Sequence, residues 1–167
     1  HYVIHRDHKA VSILVGDGPG IMPSDNGSLV TKIIHSGFWR SMVKMTGARA
    51  FIAGAIQLGY LHYSPSREEV ADYVASYSGR IGQVCSWFKY YPEGSKANDP
   101  HLDTLDVPVH VFWGDQDAFL TTDNAERLHK RLPKSALTIF ENCGHFCYQD
   151  KDREFTQLVQ NWITGGY

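Results

Sequence analysis

The chain reads as an α/β protein built on parallel strands with helical crossovers. Two apolar segments, Val107–Trp113 and Leu137–Phe140, have the length of strands, and each is followed by a helical pattern. That alternation is the signature of a parallel sheet covered by helices. The first segment stops at the turn Gly114-Asp-Gln-Asp117, and the second at a loop carrying Gly144-His145. Ligand sites in such sheets lie at the carboxyl ends of the strands. An acid and a histidine delivered at two such ends are two members of a hydrolytic triad.

The elements follow in order along the chain. Val11-Ser-Ile-Leu-Val15 predicts a strand that exits through the glycine-rich Gly16-Asp-Gly-Pro-Gly20. Residues 28–100 contain no convincing strand and several helix signals. Ser66-Arg-Glu-Glu69 is a capping box, followed at helical spacing by Val70, Tyr73, Val74 and Tyr77. Asp123 with Glu126 opens another helix, which Pro133 closes. The last helix places Phe155, Leu158, Val159, Trp162 and Ile163 on one face, with Gly165-Gly166 past its end. The strand at Val11–Val15 reads as an interior strand without an upstream strand to pair with. The chain is therefore expected to be the C-terminal portion of a larger protein.

Composition excludes several classes of function. With a net charge of -2, the chain lacks the basic excess of a nucleic-acid binder. No apolar run approaches the roughly 18 residues of a membrane span. The start, His1-Tyr-Val-Ile-His-Arg-Asp-His-Lys, is too charged for a signal peptide. Three cysteines, an odd number, favour reduced thiols and a cytoplasmic setting. His1, His5 and His8 have spacings seen in metal sites but no implied acid or thiol partner, and Cys143 with Cys147 form a single pair. No metal and no cofactor are expected.

The order strand, glycine-rich turn, helical insertion, Gly-x-x-Asp strand, helix, Gly-His strand and amphipathic helix resembles the second half of an α/β-hydrolase. The resemblance implies core segments at residues 1–27 and 101–167 and a helical cap at 28–100. It implies that Asp117 is the catalytic acid and His145 the catalytic base, with the nucleophile outside this chain, because no Gly-x-Ser-x-Gly elbow or its Asp or Cys form occurs. The segments Glu68-Glu-Val-Ala-Asp-Tyr-Val, Gly79-Arg-Ile-Gly and Trp87-Phe-Lys-Tyr-Tyr-Pro-Glu-Gly resemble the cap of epoxide hydrolases and of haloalkane or haloacid dehalogenases. Trp87, Phe88 and Tyr90 are then candidates for substrate binding. Such epoxide hydrolases use cap tyrosines to protonate the opening oxirane, and the matching position here is Phe88, which has no proton to give, leaving Tyr90, Tyr91 or Tyr60 as the alternative donors. Ester, lactone and carbon–halogen hydrolysis stay open beside epoxide opening. The expected partner is a small-molecule substrate, with a homodimer open and neither nucleic acid nor membrane involved.

Bland readings stand beside these. Asp117 suits a turn or a helix cap, Asp115 is a weaker candidate acid, and His145 could be a satisfied loop histidine. Asp17 is an alternative acid, since some dehalogenases draw theirs from the strand before the cap. Most aromatics of the middle region serve equally well as packing. A non-catalytic hydrolase-fold protein that binds a ligand or partner under its cap is the competing function.

Overall fold

The computed structural model describes residues 10–18 and 20–165. The amino-terminal histidines His1, His5 and His8 lie outside these residues. Three parallel strands form one sheet in the order β1-β2-β3, with β1 at Ile13–Gly16, β2 at Val109–Gly114 and β3 at Ser135–Phe140. Ile13 stands opposite Val109 across one ladder, and Val109 opposite Ser135 across the other. Between β1 and β2 run four helices: α1 (Leu29–His35), α2 (Gly37–Gly59), α3 (Arg67–Tyr77) and α4 (Ile81–Leu102). α5 (Thr122–Arg131) joins β2 to β3, and α6 (Cys147–Asp150) and α7 (Asp152–Thr164) follow β3.

The central strand explains the arrangement. Val109, Val111 and Trp113 point to one face, where they meet Leu102, Leu105, Leu120, Ala125 and Leu128. Phe112 points to the other face and packs with Phe140, Cys143, Cys147 and Leu158, with Phe155 and Val159 alongside. Alternate side chains of a strand face opposite sides, so a strand buried on both faces reads as one continuous apolar run. Trp113 is fully buried, and its indole N–H is satisfied by the carbonyl of Leu120 at 2.7 Å.

β1 departs from expectation in where it starts, and its place at the sheet edge is that of a strand without an upstream partner in this chain. It begins at Ile13 rather than Val11, which is 68% exposed, and it lies at the edge of the described sheet with its residues half buried. The middle region is helical as its pattern predicts. Ser66 caps α3 through the N–H of Glu69, whose carboxylate in turn accepts from the N–H of Ser66. α2 bends at Gly47, where φ of 75° interrupts the helix, a conformation open to glycine at little cost.

Candidate active site

Asp117 and His145 emerge from neighbouring strands at the same end of the sheet. The turn after β2 is closed by Asp117 N–H on the carbonyl of Gly114 and by Gln116 N–H on that of Cys143 at 3.0 Å. The Asp117 carboxylate has no exposed side-chain surface. Its Oδ1 accepts from the N–H groups of Phe119 and Leu120 at 2.8 and 3.0 Å, and its Oδ2 lies 2.8 Å from Nδ1 of His145. Both oxygens are therefore engaged and the carboxylate cannot rotate. The His145 ring is wedged edge-on against Phe119 and Phe146, with centroids at 4.8 and 5.0 Å. Held by Asp117 at Nδ1, a neutral imidazole keeps its proton there and leaves Nε2 free as a base.

The loop that carries His145 is anchored by two further acids. Asp115 Oδ1 accepts from the N–H of Cys143 at 3.0 Å, so this residue braces the loop instead of serving as the acid of the dyad. Burial pushes the Asp115 carboxyl up, but backbone donors including Cys143 outweigh it and hold it below the usual range. Asp150, with only 9% of its surface exposed, accepts from the N–H groups of Leu61, His62, Tyr63 and Gly144 at 2.8, 3.0, 2.9 and 2.9 Å. It thereby ties the turn after α2 to the residue before His145. Sequence reasoning gave Asp150 no role, because its donors are backbone groups, three of them nearly 90 residues away, which leave no side-chain signature.

The dyad opens into a cavity of about 520 Å³ between the sheet end and the helices that precede β2. Its walls are mostly apolar, from Ile33, Val43, Phe51, Leu58, Trp87, Phe88 and Phe119, and Tyr60, Tyr73, Tyr77, Tyr91 and Tyr148 also line it. Trp87 and Phe88 thus share the cavity with His145. Tyr90 does not: it is 53% exposed and lies outside the cavity wall, and Tyr91 lines it in its place. Adjacent residues of α4 point about 100° apart, so naming the segment correctly does not name the inward residue. Burial pushes the Tyr91 phenol up to about 12, so it stays protonated across the working range.

Asp17 follows β1 directly, in a left-handed conformation with φ of 50°. It lines the same cavity, and its carboxyl, that of Asp117 and the His145 ring each contribute a polar atom within 4.8 Å of the others. Two acids and a histidine so placed are also a ligand set for a metal in principle. Asp117 argues against that use, since both its oxygens are already committed to two N–H groups and to His145.

The chain has the α/β-hydrolase fold. Among solved structures, a serine hydrolase from Cycloclasticus zankles superposes with a TM-score of 0.72 at 17% identity, covering 98% of this chain and 58% of that one. An esterase from Exiguobacterium antarcticum gives 0.69 at 15% identity, covering 97% and 60%. Among curated relatives, a 2-hydroxy-6-oxononadienedioate/2-hydroxy-6-oxononatrienedioate hydrolase of a Pseudomonas species is 35% identical over 71 residues, which are 42% of this chain and 25% of the relative. Monoacylglycerol lipase ABHD6 of Rattus norvegicus is 32% identical over 63 residues, 38% of this chain and 19% of the lipase. The matched region is thus a quarter or less of these relatives' length. No family model matches the chain. These likenesses establish the fold, and the names of the relatives are those of hydrolases.

Proposed function

We propose that this chain supplies the base, the acid and the substrate cap of an α/β-hydrolase that cleaves a small, largely apolar ester. Residues 28–100 act as the cap, and a nucleophile outside these 167 residues completes the triad. The observation that carries the reading is the Asp117–His145 pair at 2.8 Å, set at the mouth of an apolar cavity large enough for a small substrate. His145 Nε2 takes the proton of the attacking hydroxyl or water, and Asp117 stabilises the imidazolium that forms. The apolar walls exclude water and strengthen that charge pairing. The ester reading draws on the esterase and lipase likenesses and on Phe88, which stands in the cavity wall without a proton to give. Tyr60, Tyr73, Tyr77, Tyr91 and Tyr148 line the same cavity and are the proton donors that epoxide opening would need.

The test is turnover by the full-length protein of a short-chain p-nitrophenyl ester, a terminal epoxide and a haloalkane, each repeated with His145→Ala. Ester turnover abolished by the substitution is the expected result. Turnover of none of the three would leave a binding protein as the better reading, and turnover that His145→Ala leaves intact would overturn the role of His145 as base. The same assay carries a further prediction. Phe88→Tyr places a phenol in the cavity and is expected to raise epoxide opening relative to ester hydrolysis by roughly tenfold, within the range of one added general acid. An unchanged ratio would show that Phe88 does not face the reacting bond.

A further inference from the structure

Asp17 is a half-buried acid with one enclosed carboxylate oxygen, and the dyad, as described, has no use for it. Its Oδ1 accepts a weak hydrogen bond from Sγ of Cys147 at 3.4 Å. Its Oδ2 is the one buried side-chain oxygen or nitrogen among the described residues that has no hydrogen-bond partner. A buried carboxylate oxygen without a donor is costly, and the usual remedy is a proton on the carboxyl. Burial raises the group most, the charge of His145 lowers it, that of Asp117 raises it and Cys147 lowers it, to a result of about 7. The titratable groups around it are His145, Asp117, Cys147 and Tyr148, with Cys143 behind Cys147; among the described residues no lysine or arginine lines the cavity. The Cys147 thiol is itself pushed up, by Cys143 and by burial, and stays protonated.

Two familiar uses of an acid at this position are closed. Nδ1 of His145 is taken by Asp117, so Asp17 is not the orienting partner. Although Asp17 lines the cavity, its Oδ2 has almost no accessible surface and its Oδ1 is engaged by Sγ of Cys147, so neither oxygen is free to hold a substrate. What remains is its charge, held a few ångströms from the imidazole.

We propose that Asp17 is a positioning residue of the site, a second carboxyl that acts on the reaction through His145 by setting how readily the imidazole takes up a proton. The proposal rests on the hydrolase reading for its effect on rate, though not for its effect on His145. When Asp17 is ionised, two carboxylates flank the ring, and the imidazolium formed during proton transfer is better stabilised. When it is neutral, only Asp117 does so. The two groups then titrate as a coupled pair, and the rate climbs in two steps as pH rises.

The test uses the full-length protein and Asp17→Asn, which keeps the side chain's shape and tolerates the left-handed backbone while removing the charge. Asp17→Gly serves as a second variant, since glycine accepts φ of 50° without strain. Wild-type kcat/KM against pH is expected to rise in two steps. Both variants should keep the lower step, lose the upper one, and fall roughly tenfold below wild type near pH 9 while matching it near pH 6, the Coulomb gain at this spacing being ample for such a factor. In parallel, the ring protons of His145 followed by NMR should show proton loss at lower pH in Asp17→Asn than in wild type. An NMR midpoint unmoved by Asp17→Asn overturns the proposal whether or not the protein turns over esters. So does a pH–rate profile the same in all three proteins, or a folded Asp17→Asn as inactive as His145→Ala. Absence of turnover in wild type with the NMR shift present would instead overturn the hydrolase reading alone.

Discussion

Replacing His145 with alanine in the full-length protein is expected to lower kcat on an activated ester by roughly 10⁴-fold or more, with the fold retained. Among the described residues His145 is the one histidine that lines the cavity, and a buried, fully committed carboxylate holds its ring at Nδ1. Asp117→Asn is expected to cost about 10⁴-fold at neutral pH, because an amide that donates to Nδ1 inverts the tautomer and leaves Nε2 protonated. KM should change little in either variant, since neither side chain makes up the apolar walls that hold a substrate. Steady-state kinetics with a circular dichroism check separates these effects from misfolding. A loss confined to KM in both variants would mean that the pair binds substrate and does no proton transfer.

The parts of the site that were legible in the sequence are those fixed by strand periodicity and turn chemistry. Val107–Trp113 had to end at Gly114, because a Cβ there would come within 2.1 Å of the Gly144 carbonyl oxygen, so the His145 loop can cross only over a glycine. That close crossing is also what brings Asp117 and His145 together, and both were named from the strand ends that carry them. The apolar face of α7 and the capping box of α3 were readable for the same reason: each is a local pattern with its own energy. What escaped is non-local. The depth of β1 depends on what lies beside it, and the choice of Tyr91 over Tyr90 depends on how α4 is rotated against its neighbours. Asp17 was named as an alternative acid. Nothing in Gly16-Asp17-Gly18 says that its carboxyl would be buried beside a thiol and a histidine contributed from about 130 residues away.

Asp150→Ala in the full-length protein is expected to lower the free energy of unfolding by about 3 kcal/mol, the scale of stranding several buried donors at once. Four N–H groups from two separate segments converge on this one carboxylate, and an alanine leaves all of them without an acceptor. Asp150→Asn, which keeps one carbonyl oxygen, should recover part of the loss. Activity should fall as well, because the N–H of Gly144 is among the four and its release loosens the backbone that aims His145. The pH dependence has a definite sign. Burial pushes the Asp150 carboxyl up, but the four donors outweigh it and hold it below the ordinary range. A group lowered in the folded state contributes its full stability above its unfolded value, about 3.9 for aspartate, and loses it as pH falls through the folded value. The gap in urea midpoint between wild type and Asp150→Ala should therefore be constant from pH 5 to 8, a window about one unit clear of that unfolded value, and shrink below about pH 4. A gap that persists undiminished into acid would show that packing, and not the four hydrogen bonds to a charged oxygen pair, is what Asp150 contributes.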